Sequence, residues 1–223
     1  MKRLVCWIVL LAIFPSIAFA QSPIRPWDQN RWYWSYHGQP RLLLGGSDDD
    51  NLFQWPKDKL IEQLDRLSSA GGNVIRNTMS DRNDKDFEIY PYARLESGKY
   101  DLNTWNEAYW KRFHQLLSET AKREIIVQIE IWDRFDFTDQ GGSNRWKLHP
   151  YNPANNVNYT HQESGFAASY PSHPGQNEQP FFFTTPKLRN NEVVLNFPRN
   201  FVDELLSYAF QFVQVLFCID NVT

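Results

Sequence analysis

Two short stretches carry the residues best placed to do chemistry. NVIRNTM (73–79) contains Arg76, and IIVQIEIW (125–132) contains Glu130, with Asp133 just beyond. Both read as buried strands, and side chains alternate along a strand. With Ile75 toward covering helices, Val74 and Arg76 point the opposite way. With Val127, Ile129 and Ile131 toward helices, Gln128, Glu130 and Trp132 point that way too. Adjacent strands then bring Arg76 and Glu130 together inside the fold. A buried arginine and glutamate must pair or be hydrated, because an isolated buried charge is strongly unfavourable. The chemistry on offer is a guanidinium orienting a carboxylate at the bottom of a cleft. The plainer alternative is an interior ion pair with no catalytic part.

Trp132-Asp133 falls where the strand becomes a loop, which suits a stacking platform beside a hydroxyl acceptor. A rim tryptophan with a solvated acid is the alternative. Asp48-Asp49-Asp50 follows Gly45-Gly46 and could bind sugar hydroxyls or a hard cation, or simply be a solvated loop. The candidate catalytic residues are therefore Arg76 and Glu130, and the candidate substrate contacts are Asp48, Asn77, Trp132 and Asp133. His149, His161 and His173 share one long polar segment without HExxH or compact ligand spacing. They read as surface or sugar-contacting residues, and no metal is expected. No GxGxxG, GxxxxGK[ST] or GxSxG occurs, so no cofactor is expected and a serine elbow cannot be argued.

The elements that must position these residues alternate. Arg31–Leu44 reads as strand, His37-Gly38 turn, strand. Pro56-Lys57 opens a helix with Leu60, Ile61, Leu64 and Leu67 on one face, ended by Gly71-Gly72. Strand 73–79 follows. Asn103 or Thr104 is expected to cap a second helix bearing Trp110, Phe113, Leu116 and Leu117, and strand 125–132 comes next. A long loop runs from Asp133 to about Phe197. Pro198 is expected to start a helix that feeds a closing strand, VQVLFCI. A hairpin followed by β–α–β–α–β–α–β implies a parallel sheet covered by helices. Large loops after the strands favour a (β/α)₈ barrel, whose active face they build.

The first twenty residues read as a leader. Lys2 and Arg3 precede an apolar core from Leu4 to Phe14, and Ala18-Phe19-Ala20 fits a cleavage site before Gln21. The expected product is secreted or periplasmic, with no membrane attachment after cleavage. Losing Lys2 and Arg3 makes it more acidic than the −3 of the full sequence, which argues against nucleic acid or an anionic membrane as partner. Cys6 leaves with the leader, so Cys218 has no internal disulfide partner. Aromatics make up 16%, many of them tryptophans in polar surroundings. That fits stacking on sugar rings, although ordinary packing will account for most of them. Asn158-Tyr159-Thr160 and Asn221-Val222-Thr223 match the N-glycosylation pattern.

In this order the chain resembles the N-terminal half of clan A glycoside hydrolases, cellulase-like (β/α)₈ barrels. RWYWSYHGQPRLLLGG is similar to their opening hairpin and first strand, NVIRNTM to the second strand, and YDLNTWNEAYWKRFHQLLSETAKREIIVQIEIWD to the following helix and third strand. VLFCIDN is similar to the fourth strand, which in this clan ends Asn-Glu. The implied fold is α/β: a partial TIM barrel of strands one to four behind an N-terminal β-hairpin, over 21–223. The resemblance implies an arginine near the nucleophile at Arg76, and it adds Asn221 to the catalytic candidates. Val222 stands where the family has its acid/base Glu, and the nucleophile belongs to a seventh strand that this sequence lacks. Retaining glycosidases need two carboxyls about 5–5.5 Å apart. The expectation is thus an exported glycoside hydrolase-like chain acting on a poly- or oligosaccharide. It would be truncated or frame-changed near the fourth strand and inactive alone, with an open barrel edge available for self-association. A non-catalytic carbohydrate-binding α/β protein is the alternative, and an open α/β binding protein is a third reading.

Overall fold

The computed structural model describes residues 22–80 and 85–221; the expected leader and Val222 lie outside the described residues. Strands β1 (Arg25–Pro26), β2 (Trp34–Tyr36) and β3 (Gln39–Arg41) form an antiparallel sheet in that order. His37 and Gly38 both have positive φ, 49° and 72°. Two-residue hairpins need that geometry to match strand twist.

The expected second arm, Arg41–Leu44, is shorter than the sequence suggested. Beyond Arg41 the chain touches β4 (Val74–Thr78) through one parallel bridge, Gly45 to Val74. What reads as the first barrel strand is therefore not a regular strand. Gly45-Gly46 offers no side chains to pack. A Cβ at Gly45 would lie 2.1 Å from the Val74 carbonyl oxygen, so only glycine lets the backbones meet.

Helix α1 (Lys57–Ser69) forms where its apolar period predicts, with Leu60 and Leu64 buried. Gly71 follows at φ 81°, the left-handed position that ends helices. Between β4 and the next helix, β5 (Tyr92–Arg94) and β6 (Tyr100–Trp105) pair as an antiparallel hairpin. Asn103 and Thr104 lie inside β6 rather than capping a helix. The cap of α2 (Glu107–Ala121) is Asn106, whose side chain accepts the Ala108 N–H.

Strand β7 (Ile126–Asp133) pairs parallel with β4 on one side and with β8 (Val215–Asn221) on the other. The sheet order β4-β7-β8 is sequential and unclosed. Ile75, Val127 and Ile129 pack on one face against Leu60 and Leu64 of α1 and Trp110, Phe113 and Leu117 of α2. Phe201 and Leu205 of α5 (Glu192–Ala209) complete that cluster. Val74, Ile126 and Leu216 pack on the opposite face, against Ile24 and Tyr36 of the N-terminal sheet. The hairpin therefore plugs the N-terminal end of the sheet's concave side, leaving the C-terminal end for polar residues.

The 134–191 segment is an ordered insert with little periodic structure. It contains α3 (Arg145–Leu148) and α4 (His161–Ser164) between 3₁₀ turns. Its core joins Phe137, Trp146, Tyr151, Tyr159, Phe166 and Phe181 to Tyr92 and Leu102 of the β5–β6 hairpin. Helix α5 starts at Glu192, so Pro198 lies inside it rather than opening it. Burial of Val194 in the insert's core extends the helix through the proline's missing donor. Among the described residues no helix is long and apolar enough to cross a membrane.

Gly45→Ala tests how the chain enters the sheet. The added methyl must push Val74 away, so a loss of about 1–3 kcal/mol is expected in urea denaturation; an unchanged midpoint would mean that the bridge holds nothing.

Candidate functional site

The parallel register sets Thr78, Glu130 and Cys218 level with one another, and Arg76 level with Gln128 one row below. All lie on the face opposite the helices, above the apolar plug. Glu130 is the buried member, its side chain 4% exposed. Thr78 Oγ1 donates to its Oε2 at 2.6 Å, and Gln128 Nε2 donates to Oε1 at 3.4 Å. Arg76 Nε lies 3.3 Å from the same Oε1. The Arg76 Nη2 group also donates to Asp50 Oδ2 at 3.0 Å. One guanidinium thus spans two carboxylates, one from the loop after Gly45 and one from β7.

The expected Arg76–Glu130 pair is present, but Arg76 is not buried. Its side chain is 48% exposed and opens into a cleft whose other wall is Gly46, Ser47 and the three aspartates. The aspartates divide. Asp48 turns outward to α1, where its carboxylate lies 3.7 Å from Arg66 Nη1. Asp49 meets Lys85 and accepts the Trp55 indole N–H at 3.3 Å. Asp50 alone reaches Arg76. Sequence reasoning chose Asp48, and nothing local distinguishes the three. The choice is made by a long-range contact, the Thr78 N–H donating to the Asp50 carbonyl.

Three further candidates take other places. Asn77 lies on the helix side with Ile75, 0% exposed, and its Oδ1 accepts the Phe53 N–H at 3.1 Å. It ties a 3₁₀ turn to the sheet and does not reach the cleft, as strand alternation from Arg76 requires. Trp132 was expected to face the axis; its ring instead packs 5.0 Å from Phe201, 5.4 Å from Phe181 and 6.3 Å from Phe137. The aromatic insert captures it. Asp133 is buried and caps the next turn by accepting the Phe135 N–H at 2.9 Å. The backbone of Asn221 ends β8 level with Asp133; its side chain lies outside the described residues.

Sequence reasoning missed the ties that hold the insert over the strand tips. Ser80, two residues past β4, donates to Asp136 Oδ1 at 2.9 Å. Arg145 of α3 lies 3.6 Å from Asp136 and 3.7 Å from Asp133. His149, expected to be a surface or sugar-contacting residue, is half-buried with its ring packed among aromatics, and desolvation holds its imidazole down to about 3. Asn158 of the first glycosylation pattern donates to Asp101 Oδ1 and accepts the Leu102 N–H. The described residues include no cluster of three or more metal-ligating side chains.

No protein-family model and no curated protein matches this sequence. Solved structures do match its fold. A glycoside hydrolase family 5 mannosidase from Rhizomucor miehei superposes with a TM-score of 0.52 at 11% identity, over 90% of this chain and 48% of its own. An endo-1,4-beta-mannanase from the same organism gives 0.49 at 12% identity, over 86% and 46%. A family 5 glycoside hydrolase from Bacteroides vulgatus gives 0.40 at 11% identity, over 90% and 40%. The chain spans about half the length of the first two. The mannosidase comparison shows that the mixed α/β fold resembles part of a glycoside hydrolase family 5 fold.

The geometry ranks two substitutions. Thr78→Val strips a buried carboxylate of a charge-assisted bond and should cost about 1.5–3 kcal/mol. Arg76→Met removes an ion pair that is half in solvent, and screening reduces its cost to about 1 kcal/mol. Urea denaturation of both variants checks the order; a larger loss from Arg76→Met would mean that the guanidinium, not the hydroxyl, holds Glu130.

Proposed function

We propose that this chain forms the N-terminal βα units of an exported glycoside hydrolase-like protein that engages a poly- or oligosaccharide. The observation carrying this reading is the row Arg76, Thr78 and Glu130 at the C-terminal end of a sequential parallel sheet. In barrel enzymes that end is the active face. The fold shared with part of a family 5 mannosidase supports the same reading, and makes a mannose-containing polymer the first substrate to try. On this reading the chain contributes four barrel positions, the segment around Gly45 serving as the first. Arg76 and Asp50 offer donors and acceptors to sugar hydroxyls, Trp132 and its neighbours build the rim, and Asn221 stands at the tip of the last strand.

Further βα units are needed for turnover. On β4 and β7 the outward face is covered by helices, whereas Phe217 and Ile219 of β8 are 41% and 76% exposed beside Phe210. A following helix would cover them, and without one this edge is where self-association is expected. Glu130 itself is held by Thr78, Arg76 and Gln128. A carboxylate so engaged orients and binds more readily than it shuttles protons, which favours binding without hydrolysis as the activity of this chain alone.

Calorimetric titration of the purified chain with mannohexaose, alongside a reducing-sugar assay, tests both parts. Millimolar or tighter binding, weakened about tenfold or more by Arg76→Met, with no hydrolysis, is expected. Hydrolysis abolished by Glu130→Gln would overturn the inactivity of the chain alone. Failure to bind mannohexaose, cellohexaose or chitohexaose would overturn the carbohydrate reading.

A further inference from the structure

We propose that His149 is an acid-sensitive latch: protonation of its ring releases the 134–191 insert from the tips of β5 and β7. The geometry that carries this is a hydrogen bond of fixed polarity. His149 Nδ1 accepts the Tyr151 backbone N–H at 3.1 Å. The proton of the neutral ring therefore sits on Nε2. A second proton must go to Nδ1, which would then face another donor. The His149 carbonyl meanwhile accepts from the Asn152 N–H and the Asn155 side chain, both at 3.0 Å, so the backbone of this turn is fixed beneath the ring.

The ring is also caged. Phe137 lies 4.8 Å away, Tyr151 stacks at 5.3 Å, Tyr90 meets it edge-on at 5.6 Å, and Trp146 stacks at 6.2 Å. Phe137, Tyr151 and Tyr90, with Tyr92 and Trp132, border a cavity of about 30 Å³ beside the ring, room for a water. The turn that His149 holds presents Tyr151, whose hydroxyl hydrogen-bonds Tyr92 of β5. Losing that turn removes this tie to the hairpin and leaves those that Asn158 makes to Asp101 and Leu102.

Other titratable groups face the same space. Asp133, at the end of β7, and Asp136, in the following turn, line the cavity, and Arg145 of α3 lies within 4 Å of both. Asp136 also accepts from Ser80. These ion pairs are a rival acid-sensitive element and must be separated by experiment. Tyr90 and Tyr109 border the cavity too, and Lys147 lies two residues before His149. Burial raises Tyr92 and Tyr151, so both phenols stay neutral throughout the acid range.

A free histidine titrates near 6.5, whereas burial holds His149 down to about 3. Between these values the open insert binds a proton that the closed one does not, so closure is favoured as pH rises and weakened as it falls. The opening equilibrium should shift about tenfold for each pH unit between about 6 and 3.5.

Hydrogen exchange of the whole chain, followed by mass spectrometry from pH 7 to 4 and corrected for intrinsic rates, reads this directly. Peptides within 134–191 should lose protection about tenfold per unit, while 107–131 stays protected. His149→Gln, whose amide oxygen can still accept and does not titrate, should abolish the pH dependence; Asp136→Asn should leave it. If His149→Gln keeps the wild-type dependence, or Asp136→Asn removes it, the latch is not His149. Ring-carbon NMR of the wild-type histidines needs no variant. A His149 signal that titrates near 6.5 while the insert remains protected would equally overturn the proposal.

Discussion

The Glu130 carboxylate sits almost out of solvent at the level where three parallel strands meet. A bare carboxylate there would cost several kcal/mol, so the protein must replace the lost water with donors. Thr78, Gln128 and Arg76 supply them. The requirement reaches far. It fixes the register of β4 against β7, because a one-residue slip would turn Thr78 and Arg76 toward the helices. It draws the loop after Gly45 inward, because Arg76 then has a second carboxylate, Asp50, to satisfy. The apolar plug of Tyr36, Ile24 and Ile126 closes the space beneath. Polar residues are thus confined to the strand tips, where solvent and ligand can reach them.

Above this row the insert obeys different physics. Its aromatic rings contact one another at offset or edge-on geometries, and its asparagines do the work that a strand ladder does elsewhere. Asn152 and Asn156 donate to the carbonyls of Trp146, Ala168 and Pro150. Such side-chain-to-backbone bonds satisfy a non-periodic chain without helix or sheet. Both devices are local in space but scattered in sequence.

That contrast explains what could be read from the residues alone. The strands at 73–79 and 125–132, helix α1 and the Arg76–Glu130 meeting followed from apolar periodicity, which is set by the backbone itself. Trp132 was misplaced because its partners, Phe181 and Phe201, lie about fifty and seventy residues away in sequence. Asp50 could not be told from Asp48 for the same reason: the distinction is made by a tertiary contact to Thr78. The β5–β6 hairpin was legible in principle. Leu102 is the one buried residue of 100–105, and the polar residues around it concealed the strand. His149 looked like a surface residue because nothing in its local sequence reports the rings that close over it.

Arg76 also sets a limit on what this cleft can do. Its guanidinium bridges two carboxylates, Asp50 and Glu130, so each has a fixed partner. Retaining hydrolysis needs two carboxyl groups about 5–5.5 Å apart, one of which must give and take a proton. Adjacent strands lie about 4.8 Å apart, so β4, β7 and β8 span only about 10 Å of a rim. On the proposed reading, a carboxyl facing Glu130 across the axis would come from further strands. What the described residues assemble is a buried carboxylate held by Thr78, Gln128 and Arg76, with the guanidinium half open to solvent.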